Sequence, residues 1–157
     1  MGDGLSRLIK VDNSAVRRLR LRLDEGLPYP SDIAQVCDWQ PLPDGPWDVE
    51  GVVRTGAGNC LGLAATVVSI VCGHPSVDGG GAAILSLPGS GVYHAVACWW
   101  ARRTVVMCDM TRTLRDGSVV VEGREAQLKE VNWQEGFGAP MGVRLAAVVT
   151  PVGVILC

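Results

Sequence analysis

Between Arg54 and Arg102 lie 47 residues, of which Asp78 alone carries a charge. A stretch that long and that uncharged cannot lie on the surface, so it must form the buried centre of whatever the chain folds into. It does not cross a membrane as a helix. Its longest apolar run, Cys60 to Cys72, has 13 residues and is interrupted by Gly62, Thr66 and Ser69, whereas a span needs about 20. The run is preceded by Thr55-Gly56-Ala57-Gly58-Asn59 and closed by Gly73. A polar cap, an apolar stretch on all sides and a glycine stop predict a buried central helix with Cys60 in its first turn.

The remaining 110 residues of the 157 must supply the surface and the rest of the core. Residues 1 to 157 are expected to form one domain, in which 1–50 contribute an N-terminal helix and a proline-rich arm. Residues 1–12 read as weakly ordered. Asn13 or Ser14 can cap a helix to about Glu25, with Val16, Leu19 and Leu23 inward and Arg17, Arg18, Arg20 and Arg22 on a solvated basic face. Pro28, Pro30, Pro41, Pro43 and Pro46 predict an irregular surface arm from Gly26 to Pro46. After the helix, extended runs are expected at 82–87, 92–101, 104–108, 118–122, 143–150 and 152–156. Turns fall at Gly79-Gly80-Gly81, Pro88-Gly89, Asp116-Gly117 and Thr150-Pro151, and the alternation suits an antiparallel sheet. A short polar helix is expected over 124–131. The predicted class is α+β, a central helix packed on an antiparallel sheet.

Lys and Arg number 14 against 16 Asp and Glu, a net charge of -2. That balance gives no long-range field for anions, so nucleic acid is not an expected partner. The two histidines and scattered cysteines offer no paired ligand spacing, so neither a metal nor another cofactor is expected. Gly79-Gly80-Gly81 and the glycines around Asn59 lack a phosphate-loop ending and read as turns. The N-terminus has no apolar secretory core, and the six cysteines lack a Cys-x-x-Cys pair and fall largely in apolar segments. A cytoplasmic chain with reduced thiols is therefore expected, the host cytoplasm included for an effector or viral protein.

Chemistry concentrates on Cys60. The first turn of a helix offers unpaired N–H groups and the positive end of the dipole, which favour a thiolate. His74 follows the predicted helix, about 20 Å from Cys60, and cannot serve as its base. His94 opens the strand 92–101. A hairpin turning at Ala101-Arg102 would place His94 directly opposite Asp109, completing a nucleophile, a base and an orienting carboxylate. By alternation Trp100 shares the face of His94, which makes it a candidate cleft ring. Structural readings stand beside these: Cys60 as a packing thiol, His94 as a core histidine, Asp109 as a turn residue.

Gly58-Asn59-Cys60, His94-Ala95-Val96-Ala97-Cys98-Trp99-Trp100 and Val105-Val106-Met107-Cys108-Asp109-Met110-Thr111 together resemble the core of transglutaminase-like and papain-like cysteine enzymes, over residues 54 to 113. The resemblance implies the Cys60, His94, Asp109 order of that triad, with Met110 where the family often has proline. It also implies an acyl-thioester mechanism on a protein or peptide substrate. A peptidase is the first reading, with a protein-glutamine deamidase or transglutaminase effector or toxin domain as the second. A non-enzymatic interaction module is the third. Papain-type enzymes carry an oxyanion glutamine about six residues before the cysteine, where this chain has Arg54. The oxyanion donors expected instead are the N–H of Cys60 and one side chain among Asn59, Trp47 and Gln40, with Asn59 and Trp100 as candidate substrate contacts. The apolar end Val152 to Cys157 reads as a docked strand or as the product end of a self-cleaving leader protease.

Overall fold

The computed structural model describes residues 8–89, 91–122 and 127–157. Helices α1 (Ser14–Arg20), α2 (Pro30–Val36), α3 (Val49–Thr55) and α4 (Cys60–Val71) come first, with two-residue strands β1 (Gln40–Pro41) and β2 (Ala57–Gly58) paired in parallel. A six-stranded sheet follows, built from β3 (Gly79–Ser86), β4 (Tyr93–Ala101), β5 (Thr104–Cys108), β6 (Gly117–Val120), β7 (Arg144–Thr150) and β8 (Gly153–Leu156). Its order is β6-β5-β4-β3-β7-β8, and every ladder is antiparallel. A 3-10 turn (Leu128–Glu130) and helix α5 (Trp133–Phe137) precede β7. The fold is α+β.

The sheet separates two cores. On one face α4 packs with α1–α3 against Ala95, Ala97 and Trp99 of β4 and Val106 and Cys108 of β5. On the other, Val96, Cys98, Val105 and Met107 meet Leu128, Trp133 and Phe137. Period-two alternation along β4 and β5 feeds both layers. Helix α4 is buried from Gly62 to Val71, so its valines and isoleucine are held by tertiary packing that outweighs their modest helix propensity. Its hydroxyls are satisfied within the helix: Thr66 Oγ1 donates to Gly62 O and Ser69 Oγ to Ala65 O, both at 2.7 Å.

Several sequence expectations need correction. Residues 8–12 are not loose, since Leu8 and Ile9 are buried and the Lys10 N–H donates to Ser69 Oγ at 2.8 Å; residues 1–7 lie outside the described residues. Helix α1 ends at Arg20, well short of Glu25. Arg20 leaves the predicted solvated face because its guanidinium donates to the carbonyls of Ile70, Ser69 and Val11 at 2.7 to 2.8 Å, which caps the C-terminal end of α4. The 26–46 arm contains α2, whose Ile33 is fully buried, with Pro30 at the helix start and Asp32 accepting from the Tyr29 N–H.

Gly79-Gly80-Gly81 is no turn: it opens β3. A Cβ there would meet the Trp100 ring at 2.7 Å, Cys72 Sγ at 2.9 Å and Val148 Cγ1 at 2.6 Å in turn. The glycines let neighbours press onto the strand. The polar helix expected over 124–131 is only the 3-10 turn among the described residues, and 124–126 lie outside them. Strand β8 docks on β7 and the Cys157 N–H donates to Ala146 O at 3.1 Å, so the C-terminal residues form an edge strand of the sheet.

Candidate active site

Asn59 adopts the extended conformation of an N-cap and its Oδ1 accepts from the Gly62 N–H at 2.9 Å. Cys60 is thereby fixed as the first helical residue, half-buried, where the N–H groups of the opening turn lack intrahelical acceptors. His94 stands second in β4 and is buried, with the thiol of Cys60 within hydrogen-bonding reach of its ring. Its Nε2 meets Asp109 Oδ2 at 2.8 Å, so Nδ1 is the nitrogen left for the sulfur. The three residues predicted to act together are brought together.

The route to that geometry differs from the predicted one. The hairpin turns at Arg102-Arg103, with Arg102 at φ 51° and its N–H donating to Asp78 Oδ2 at 2.7 Å. The register pairs Ala101 with Thr104 and Ala97 with Cys108, two residues away from the expected one. His94 and Asp109 are therefore not directly opposed. A shift of two preserves the face, whereas a shift of one would have sent the carboxylate to the other side of the sheet. The pair meets on a diagonal instead, which long polar side chains can bridge.

Asp109 is buried and heavily bonded. Its Oδ2 also accepts from the Leu114 N–H at 2.8 Å, and its Oδ1 accepts from Thr111 Oγ1 at 2.7 Å and the Thr111 N–H at 3.1 Å. Its own N–H donates to Asp116 Oδ1 at 2.6 Å. The loop from 109 to 116 is thus wound around one carboxylate. Thr111 and Leu114 are site residues that sequence reading did not assign this role; the small polar Thr two positions after an Asp is a weak sign of such a side-chain turn.

The electrostatics follow the contacts. The hydrogen bond to His94 leads the forces that lower the Cys60 pKa, helped by the backbone N–H groups of Ala95 and Leu61, against partial burial that raises it. Burial works to lower His94, but the hydrogen bonds and charges of Asp109 and Cys60 prevail and raise it to about 9. Burial would raise Asp109, yet the imidazole, Thr111 and Leu114 hold it below the usual carboxylate value. Each shift favours the charged form: the thiolate at Cys60, the imidazolium at His94 and the carboxylate at Asp109.

The other sequence candidates fall elsewhere. Trp100 is six residues beyond His94 on β4, about 20 Å at the rise of a strand, with its ring over Gly79; it packs at the far end of the sheet rather than at the triad. His74 is buried, its Nε2 on Asp24 O at 2.7 Å and its Nδ1 accepting from the Ser76 N–H at 3.1 Å. Arg54 is exposed in the last turn of α3. All six cysteines are free. Among the described residues no cluster of three His, Cys, Asp or Glu could hold a metal ion, and no helix is long and apolar enough to cross a membrane. No family model, curated protein or solved structure matches this chain.

Proposed function

We propose that this protein is a cysteine-dependent amide hydrolase with a papain-like or transglutaminase-like catalytic core, acting as a peptidase on a protein or peptide substrate. The observation that carries the reading is the buried 2.8 Å contact between His94 Nε2 and Asp109 Oδ2, with Cys60 at a helix start against the same imidazole. Structural histidines pair with one acceptor readily. One that joins a carboxylate to a half-exposed thiol at the positive end of a buried helix has the parts of an acyl-transfer centre.

The steps follow from those parts. The Cys60 proton resides on His94, and the thiolate attacks the carbonyl carbon of a substrate amide. The oxyanion accepts hydrogen bonds from N–H groups of the first turn of α4, that of Cys60 first. Asn59 is held by its Oδ1 accepting in the cap, and its Nδ2 is the group that could donate there. As the tetrahedral species collapses, the C–N bond breaks and the imidazolium gives its proton to the leaving amine. Water then attacks the thioester carbonyl as His94 takes its proton, the C–S bond breaks to release the acid, and the Cys60 thiolate is left beside the His94 imidazolium, which restores the ion pair. Asp109 holds the ring in register throughout. Free buried thiols at Cys98 and Cys108 suit a reducing compartment such as the cytoplasm.

The test is incubation of the purified chain with a denatured-protein mixture and a glutamine-rich folded protein, read by mass spectrometry. Fragments that vanish with Cys60→Ala support the peptidase. An intact protein heavier by about one mass unit per site would replace it with a deamidase. No Cys60-dependent change in either would sink the enzymatic reading.

A further inference from the structure

The sheet holds His94 and Asp109 unequally. His94 is paired with Leu85 inside the β3–β4 ladder. Asp109 stands one residue past the end of β5, beyond the last pair of each of its ladders, Ala97 with Cys108 on one side and Met107 with Gly117 on the other. The main-chain groups of such an overhanging residue must find partners elsewhere, or its side chain has no fixed origin. The Asp109 carbonyl accepts from the Arg112 N–H at 2.9 Å, within its own loop. Its N–H donates to Asp116 Oδ1 at 2.6 Å, so a side chain takes over where the backbone ladder stops.

Asp116 is itself anchored. The N–H of the preceding Arg115 donates to the carbonyl of the buried Phe137 at 2.8 Å, and its guanidinium donates to Glu135 O at 3.1 Å and Gly136 O at 3.0 Å. On its other side Gly117 enters β6. A residue needed only to open that strand would leave its carboxylate in water or turn it back on its own loop. Here a series of bonds runs from α5 through Arg115, Asp116 and Asp109 to His94. Asp116 is exposed, so water weakens the reach of its charge. What it contributes is an acceptor oxygen in a fixed place.

We propose that Asp116 is a positioning residue of the candidate active site, holding the main chain of Asp109 so that the Asp109 carboxylate meets His94. The proposal rests on the acyl-transfer reading above and adds a residue outside the triad. Without that oxygen the Asp109 N–H must seek another partner, and a displacement of about 1 Å in a catalytic group can cost about a hundredfold in rate.

The test needs no substrate. The chain has only two histidines, His74 and His94, so their ring C–H signals can be followed by NMR across pH in the intact protein, with His94→Ala making the assignment. In wild type His94 should lose its proton at about pH 9. Asp116→Ala should lower that midpoint by about one pH unit, a tenfold change in the equilibrium. Asp116→Asn keeps an oxygen acceptor and should hold the midpoint within about a third of a unit of wild type. Asp116→Glu keeps the charge but moves the oxygen by one methylene; it should also lower the midpoint, and it replaces the alanine variant if circular dichroism shows that one unfolded. A His94 midpoint that neither alanine nor glutamate lowers makes Asp116 a turn residue and overturns the proposal with the triad standing. A midpoint that asparagine lowers as far as alanine assigns the effect to charge and overturns it as well. A wild-type His94 that titrates at about 6.5, with Cys60 alkylated no faster than Cys157, overturns the acyl-transfer reading itself.

Discussion

Cys60 and Cys72 stand at the two ends of α4, and their thiols are driven in opposite directions. Cys60, at the first helical position, has its pKa lowered by His94 and by backbone N–H groups. Cys72, at the C-cap, is pushed up to about 12 by burial, although the Arg20 cation works against that. The guanidinium of Arg20 is already taken by the carbonyls of Ile70, Ser69 and Val11, at the end of the helix where the dipole is negative. A cation nearby is therefore not enough to make a reactive thiol. What differs at Cys60 is a donor aimed at the sulfur, an imidazole that can take its proton, and a carboxylate behind that imidazole.

The largest effect that would break the comparison is at the nucleophile. Cys60→Ala should lower turnover about ten-thousandfold, whereas Cys72→Ala should leave turnover within a few fold, as measured on any substrate found by the mass-spectrometric screen. Asp109→Asn comes next. It removes the charge that orients His94 while keeping the shape, and turnover should fall about a hundredfold or more. Equal losses for the two cysteine variants would show that the helix ends are not chemically distinct.

Smaller effects sharpen the comparison. Arg20→Ala strips three carbonyls of a charged donor and should destabilise the fold by about 1–3 kcal/mol in denaturant unfolding, with Cys60 alkylation unchanged. Asn59→Ala removes the cap at the other end and should cost about 1 kcal/mol. If its loss in turnover is far larger than that cost, Asn59 also contacts the reacting acyl group.

Much of this division was legible before any coordinates. The Asn59 cap, the uncharged run behind it and the terminal glycine defined α4 closely, because a helix buried on every side needs no amphipathic period to be recognised. The strands were also visible, since β-branched runs between turn residues leave few alternatives. Gly79-Gly80-Gly81 misled because sequence cannot distinguish a glycine that bends the chain from one that makes room for Trp100. Arg20 looked like its solvated neighbours because its acceptors are about fifty residues away in sequence. The His94–Asp109 pairing survived a wrong register only because the error was an even number of residues. Trp100 shared the right face of β4 but stood at the wrong end, since alternation reports the side of a sheet and says nothing about distance along it.

The stability carried by His94 has a definite sign. With its pKa raised to about 9 in the fold from an ordinary 6.5, its contribution is fully present below pH 6.5 and is lost as pH rises through about 9. The same titration removes the imidazolium that protonates the leaving amine, so turnover should fall as pH rises through about 9 while the thiolate stays nucleophilic.

The most direct measurement is the rate of Cys60 alkylation by iodoacetamide across pH, in wild type and His94→Ala, with the exposed Cys157 of the same molecules as the reference thiol. A thiolate and imidazolium pair predicts that Cys60 reacts rapidly already near pH 6, well ahead of Cys157, and changes its reactivity again near pH 9. In His94→Ala, Cys60 should follow the ordinary thiol titration near 8.5 and lose about tenfold to a hundredfold at pH 6. Contradiction would be a Cys60 that tracks Cys157 at every pH and ignores the loss of His94.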